Sequence, residues 1–474
     1  MESPGSNDID RAAPRRRAAC TMCATFLLAA CATVGDARRW QDQRNEPPGE
    51  RTPTAKELGL ATSGPLELDE ALRIALAVHP SILRARRLED EARTRVSEVE
   101  AAFLPALSAS ATRQYRDQKS SGPKPPGSHR FESLGFGVSW LLFDFGRTSA
   151  LARQAAAQWL AAQKDTRTAL LDVAFNVRSA YFNLSKEIEL RDVARDAVRQ
   201  FQEHLDQVHE FVKVGTHIPY DETKAQVDLG SAKQTLVQEE DAVLLDEATL
   251  ASAMGLAEVA DWTPKSAATS AAAPPPFEEC WAQAQRELPA LASARALEQA
   301  ADELVNAGID ALYPQLSLGF GYSAAGSSLP LPWSWQVGPS LSWVPFDGFQ
   351  NLYSIDEAVA ALRAARNDVT SAEQAAWLDA RTAWLAIEDA RRQLDLALLQ
   401  VQYAEDNLTL AQGRFDNGKA TAVDLTDARQ ALIAARAAQV QARAQYDIAT
   451  AKLQKSMGAG SPDAPAARPD GGAR

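Results

Sequence analysis

The chain is one unit written twice, and that duplication constrains its fold more than anything else in the sequence. Val214-Gly215-Thr216-His217-Ile218-Pro219-Tyr220-Asp221 returns in altered form as Asn417-Gly418-Lys419-Ala420-Thr421-Ala422-Val423-Asp424. The offset that carries Gly215 to Gly418 also relates Asp144 to Asp347, Tyr181 to Trp384 and Gly255 to Gly458. Each copy separates two long runs of Ala, Leu, Gln and charged residues, so each reads as the bend of a helical hairpin. Gly supplies the positive φ that ends one helix, and the Asp that follows sits where a carboxylate caps the next. From Asp144 to about Val214 no Pro occurs. At about 1.5 Å per residue this run makes a rod on the order of 100 Å, longer than any globular domain needs.

Upstream of each rod the period changes. Leu66 to about Phe103 has a helical pattern with Leu72, Ala75, Leu76 and Leu83 on one face, and Pro80 predicts a local kink. Beyond Pro105, Leu107, Ala109 and Ala111 alternate with Ser108, Ser110 and Thr112. After a polar loop, Leu134, Phe136, Val138, Trp140 and Leu142 alternate with Ser133, Gly135, Gly137 and Ser139. The spacing predicts strands over about 106–115 and 131–143, and again over about 315–323 and 336–346. Each hairpin has one apolar, aromatic face and one small, polar face. A half-buried soluble hairpin gives the same pattern, but strands of this length with Trp140 near an end, and Trp343 at the matching position, suit a spanning sheet with an aromatic girdle. Four strands cannot enclose an aqueous lumen, so spanning strands must be pooled from several chains. In each repeat the helix before the strands and the helix after the bend sum to nearly the length of the long one. They are expected to stack end to end beside it and to meet at the equator of the rod.

The formal net charge of −13 argues against a nucleic-acid partner. Arg11, Arg15, Arg16 and Arg17 precede a short apolar run from Ala18 to Ala30, which reads as an export signal. Leu28-Ala29-Ala30-Cys31 then has the form of a lipobox with Cys31 as the lipidated residue, the alternative being a plain signal peptide whose Cys is incidental; resemblance to sorted lipoproteins implies that Ala32 favours the outer membrane. Cys20 and Cys23 would leave with the signal, so Cys280 remains as the one free thiol. The expected organisation is a signal over 1–30, a polar tether over 31–65, a first repeat over 66–255 and an equatorial linker over 256–276. A second repeat over 277–458 and a disordered tail over 459–474 complete it.

This layout resembles the TolC-like outer-membrane efflux family. The marks that carry the resemblance are the strand ends Phe143-Asp144-Phe145-Gly146 and Phe346-Asp347-Gly348, the Val214-Gly215-Thr216 tip, and Arg414-Phe415-Asp416-Asn417-Gly418 leading to Asp424-Leu425-Thr426-Asp427-Ala428. The resemblance implies a mainly α chain with membrane β: a homotrimer with a 12-stranded outer-membrane β-barrel continued by an α-helical coiled-coil barrel through the periplasm. It implies that Asp424 and Asp427, three apart on one helix face, and Asp221 in the first repeat ring a periplasmic gate; the same carboxylates also suit plain helix capping. Where the family's type member carries an Arg that locks this mouth, the chain has Ala420. The resemblance further implies that Val214, Gly215, Thr216, Asn417, Gly418 and Lys419 form tips that dock a periplasmic adaptor, which couples the channel to an inner-membrane transporter. The glycines also serve the chain reversal itself.

No enzyme motif competes. His204 and His209 are five apart, a poor spacing for one helix face, and the five histidines read as ordinary surface residues. No cofactor is expected. A pore-free coiled-coil envelope lipoprotein explains the helices and the lipobox but gives four matched alternating strands no purpose.

Overall fold

The computed structural model describes residues 63–118, 127–214, 218–257, 261–265, 274–417 and 419–459, together with Arg44. All but Arg44 belong to one compact unit, Thr54–Arg474.

The first repeat comprises α1 (Leu68–Val78), α2 (Pro80–Glu100), β2 (Ala106–Gln118), β3 (Gly127–Phe143), α3 (Arg147–Lys213) and α4 (Pro219–Ala253). The second comprises α5 (Phe277–Glu287), α6 (Pro289–Asp310), β5 (Gln315–Gly326), β6 (Trp333–Ser342), α7 (Gln350–Asp416) and α8 (Ala422–Ser456). Two short strands, β1 (Ser63–Leu66) and β4 (Asp261–Pro264), pair in parallel. The long helices α3 and α7 each have 67 residues and the return helices α4 and α8 each have 35.

Pro80 does more than kink a helix. It starts a new one: His79 and Leu288 are extended, and Pro80 and Pro289 occupy the first helical positions of α2 and α6. A proline lacks the N–H that a continuing helix needs and pushes its predecessor out of the helical region, so the chain breaks instead of bending. The last strand also differs from expectation. It begins at Trp333 and stops at Ser342, where the ladder ends on Gln315; Pro314 before that partner and Pro345 beyond Trp343 remove donors that a longer ladder would use.

The order of elements across the molecule is the same at every level. The antiparallel sheet runs β2-β3-β5-β6. Next to it the helices pack as a row, α2 on α3, α3 on α6, α6 on α7. Beyond the equator the row is α4 on α3, α3 on α8, α8 on α7. Each helix therefore continues the strand to which it is joined. One edge of the molecule is β2, α2 and α4; the other is β6 and α7 along its whole length.

The equator is pinned twice by the same device. The Tyr181 hydroxyl on α3 donates towards the carbonyls of Leu66 (2.8 Å) and Lys265 (2.9 Å). Its repeat mate Trp384 on α7 donates from Nε1 to the carbonyl of Pro275 at 2.8 Å. Leu66 and Pro275 occupy matching positions just before α1 and α5. Around Tyr181, Leu72, Leu76, Val177, Leu184, Leu250 and Met254 form the largest buried cluster, and Cys280, Ile387, Tyr446 and Leu453 form its counterpart.

The return helices end against the proline breaks. Gly255 and Gly458 both have φ +75°, and each follows its helix as a left-handed cap. A Cβ on Gly255 would lie 3.0 Å from His79 Cα, and one on Gly458 would lie 2.8 Å from the Glu287 carbonyl carbon. Neither neighbour is a side chain that can swing aside. We expect Gly458→Ala to destabilise the fold by at least the 1–2 kcal/mol or so that a left-handed Cβ costs, read as a lower thermal midpoint by circular dichroism. Gly348→Ala, also at positive φ but with open space around its Cβ position, should cost less.

Candidate functional site: a spanning sheet, two hairpin tips and an acidic turn

The sheet divides its residues by size. On one face Phe136 pairs with Tyr322, Val138 with Phe320 and Trp140 with Leu318, and Trp335, Val337 and Leu341 continue the apolar surface on β6, each at least half exposed. On the other face Ser110 opposes Gly135, Ser108 opposes Gly137, and Gly137 opposes Gly321. A Cβ on Gly135 or Gly137 would come within 2.8 Å of the facing serine Oγ, so this face is lined by backbone and hydroxyls. Among the described residues no helix is long and apolar enough to cross a membrane; this says nothing of a β-barrel.

Trp140 and Trp343 are held alike. Trp140 Nε1 donates to the Phe103 carbonyl at 2.8 Å, and Trp343 Nε1 donates to the Leu312 carbonyl at 3.0 Å. Phe103 and Leu312, in the last helical turns before the strands, are themselves repeat mates, since ahead of the hairpin loops the offset is 209, as from Pro80 to Pro289 and from Pro105 to Pro314. Each indole thus ties the foot of its hairpin to the helix that feeds it, with its ring left partly exposed. Asp144 and Asp347 terminate the hairpins by capping: Asp144 accepts from Thr148 N at 2.8 Å, and Asp347 from Asn351 N at 2.9 Å. The two short strand-end motifs are therefore turns that launch the long helices.

At the opposite end, Val214 closes α3 and is 71% exposed, and Ile218 and Tyr220 beyond the bend are similarly bare. Gly215 and Thr216 lie outside the described residues, as does Gly418. Asn417 Nδ2 donates to the Gly413 carbonyl at 2.7 Å, and the backbone N–H of exposed Lys419 donates to Arg414 O at 2.8 Å, closing the second bend. Tyr220 and Ile218 belong with the tip residues. The Pro between them hid this, because it marks a helix start and says nothing about exposure.

Asp424 is the third helical residue of α8 and completes a capping box. Its carboxylate accepts from Thr421 N and Thr421 Oγ1, both at 2.8 Å, while Asp424 N donates to Thr421 Oγ1 at 3.2 Å. The Thr421 backbone bond, with the hydroxyl second, holds this carboxyl below its ordinary range. Asp427 is exposed one turn further on, beside buried Leu425, Thr426 and Ala428. Asp221 has the corresponding place in α4, but its N-cap is Ile218, which has no hydroxyl with which to build a box. Asp424 and Asp427 share one hairpin, and Asp221 is carried by the other.

Of the two spaced histidines, His209 lies on the surface as expected and His204 does not. His204 is buried, 3% exposed, on the same helix as the core residue Phe201, and His209 Nδ1 lies 2.8 Å from Glu222 Oε1 across the α3–α4 hairpin. A helix packed on both sides buries faces that a lone amphipathic helix would leave wet, so position along the sequence did not show this. Among the described residues no group of His, Cys, Asp and Glu is arranged to hold a metal ion. Cys31 lies outside the described residues.

A duplicated strand pair and long helical hairpin, with acidic turns at one end and aromatic strand feet at the other, define the class of outer-membrane channel subunits. The chain belongs to the outer membrane efflux protein family, which it matches over residues 71–256 and 281–459. It is 26% identical over 203 residues to outer membrane protein TolC of Escherichia coli (strain K12), a match spanning 41% of each chain. It is 30% identical over 191 residues to the outer membrane efflux protein BepC of Brucella suis biovar 1 (strain 1330), 40% of this chain and 41% of that one. These curated relatives are thus matched over well under half their length. The fold is shared far more widely: a crystal structure of CusC superposes with a TM-score of 0.75 at 18% identity, covering 83% of this chain and 92% of CusC.

Thr421 is the partner on which the acidic turn depends. Because the Asp424 carboxyl is held low in the folded chain, its contribution is present above the ordinary carboxylate range and is lost as pH falls through the depressed value. We expect Thr421→Val to quicken amide exchange over residues 422–426 several-fold at neutral pH while α2 is unaffected. Unchanged exchange at the start of α8 would mean that the box does not order the tip.

Proposed function

We propose that the chain is the outer-membrane channel of an efflux or secretion assembly, working as a homotrimer docked by a periplasmic adaptor that links it to an inner-membrane transporter. The observation that carries this reading is the shared order of sheet and helices. The sheet has free edges at β2 and β6, and the helical rows end at α2 or α4 on one side and α7 on the other. The edge helices carry exposed apolar side chains, Val237, Leu244 and Leu245 on α4, and Leu396, Leu399, Tyr403 and Leu410 on α7. An unpaired strand edge in lipid leaves several backbone groups without partners, each costing several kcal/mol or so. A neighbour that covers β6 with its own β2 would at once cover α7 with its own α2 and α4.

Three copies supply twelve strands, four from each. Two would make an eight-stranded barrel, whose interior has room only for side chains, so three is the smallest assembly with an open lumen. The serine and glycine face suits that lumen, and the apolar face suits lipid. Trp140 and Trp343 form the girdle at the strand feet. Cys31 anchors the mature chain by acylation. The transporter supplies the energy, and the duct is passive.

At the tips, exposed Val214, Ile218 and Tyr220 with Asn417 and Lys419 offer an apolar spot with a polar rim to the adaptor. Asp424 and Asp427 on three copies place six carboxylates around the periplasmic mouth, with Asp221 beside them. The capping bonds of Asp424 do not remove its charge; they fix where it points. We expect Asp424→Asn combined with Asp427→Asn to lower cation preference and divalent-cation block in planar-bilayer recordings by several-fold, with trimers intact. Unchanged selectivity would remove the gate assignment, and absence of any conductance from the unaltered protein would contradict the channel reading.

A further inference from the structure

Where the sheet meets the helices, a cavity of about 340 Å³ opens between the start of α3, the end of α6, the foot of β6 and the first turn of α7. Arg147, Asp310, Tyr313, Trp343 and Asn351 are among its lining residues. Two of these stand out. Arg147 is exposed and Asp310 is half-buried, and neither forms an ion pair or a side-chain hydrogen bond with the other or with any described residue. Asp144, the remaining carboxylate in the cavity, is occupied by its capping bonds to Gly146 N and Thr148 N. The cavity thus holds one cation and one anion without a hydrogen bond or ion pair of their own, the nearby Arg153 being paired with Glu303 and acting on Asp310 only through its field.

The duplication supplies an internal control. At the matching positions of the other repeat, which lie on opposite edges of the chain, the capping Asp recurs as Asp347 and the girdle Trp as Trp140, but Gln350 stands at the place of Arg147 and Ala101 at that of Asp310. The capped strand-to-helix turn is therefore built without a cation at Gln350, and the helix end before the first hairpin without an anion at Ala101. The surroundings of Arg147 and Asp310 are those of a membrane surface. Trp343 is fixed by its bond to Leu312 O, and Tyr313 stacks on Phe145 with ring centroids 5.1 Å apart, next to Phe143. Aromatic side chains of this kind lie at headgroup depth.

We propose that this cavity binds the headgroup of a phospholipid bearing a primary ammonium, phosphatidylethanolamine by its chemistry. The inference rests on the reading that the sheet spans the outer membrane. The Arg147 guanidinium takes the phosphate through a charge-assisted fork, the Asp310 carboxylate takes the ammonium, and the acyl chains run along Trp343 and the apolar face of β6. Phosphatidylglycerol satisfies Arg147 but offers Asp310 only neutral hydroxyls in place of a cation, a weaker bond to a carboxylate. In phosphatidylcholine the methylated ammonium has no proton to donate.

The test is native mass spectrometry of the full-length protein, purified in detergent, delipidated and titrated separately with the three lipids on identical acyl chains. We expect phosphatidylethanolamine to be retained about tenfold more tightly than either of the others. Arg147→Gln combined with Asp310→Ala, the residues at the matching positions of the other repeat, should bring all three to within about twofold of one another while conductance in planar bilayers stays unchanged. Equal retention of the three lipids by conducting wild-type protein, or a preference that survives in the double variant, overturns the lipid site and leaves the channel reading standing. A wild-type preparation without conductance overturns both.

Discussion

The structure depends on one constraint, that polar backbone groups and apolar helix faces left at an edge must be covered. Within the chain the elements pack in the same order at three levels, β2-β3-β5-β6 in the sheet and the matching helices above and below the equator. The free strand edges are β2 on one side and β6 on the other, and the edge helices α4 and α7 carry exposed Leu244, Leu245, Leu399 and Leu410. Two edges of such matching composition ask for a rotation that brings one onto the other, and a rotation about a common axis encloses a space.

The duplication explains how the interior is held. Tyr181 and Trp384 are chemically different, yet each aromatic side chain donates, from a hydroxyl or an indole N–H, to the carbonyl that precedes the first short helix of its repeat. Trp140 and Trp343 do likewise at the strand feet. Gly255 and Gly458 cap the return helices where the proline breaks leave room for nothing larger. The hydrogen-bonding device is conserved between halves even where the side chain is not, and the halves diverge where no such device is needed: the hairpin loops, the charges at the junction, and the capping box that Thr421 makes and Ile218 does not.

Much of this was legible in the sequence. The absence of Pro and Gly between Arg147 and Lys213 fixed a long rod, the switch from period 3.6 to period 2 after Pro105 located the strands, and matched Gly and Asp positions located the bends. Local rules ran out where distant segments meet. The parallel pairing of Ser63–Leu66 with Asp261–Pro264 joins residues almost 200 positions apart, and no local pattern announces it. His204 has the polarity of a surface residue, and its burial follows from α3 being packed on both sides. Pro80 was visible as a kink, but that the chain breaks there and at Pro289, and that Gly255 and Gly458 pack against the two breaks, is a matter of segments distant in sequence. The Arg147 and Asp310 pair is silent in sequence, since the two residues are brought to one cavity only by the packing of α3 on α6.

The central claim is that the free edges of one copy are closed by others. The most direct measurement is the native mass of the detergent-solubilised full-length protein. Three chains in one particle, resistant to dilution, is the result that the open edges require. A stable single chain, dispersed with β2 and β6 unpaired, would contradict it.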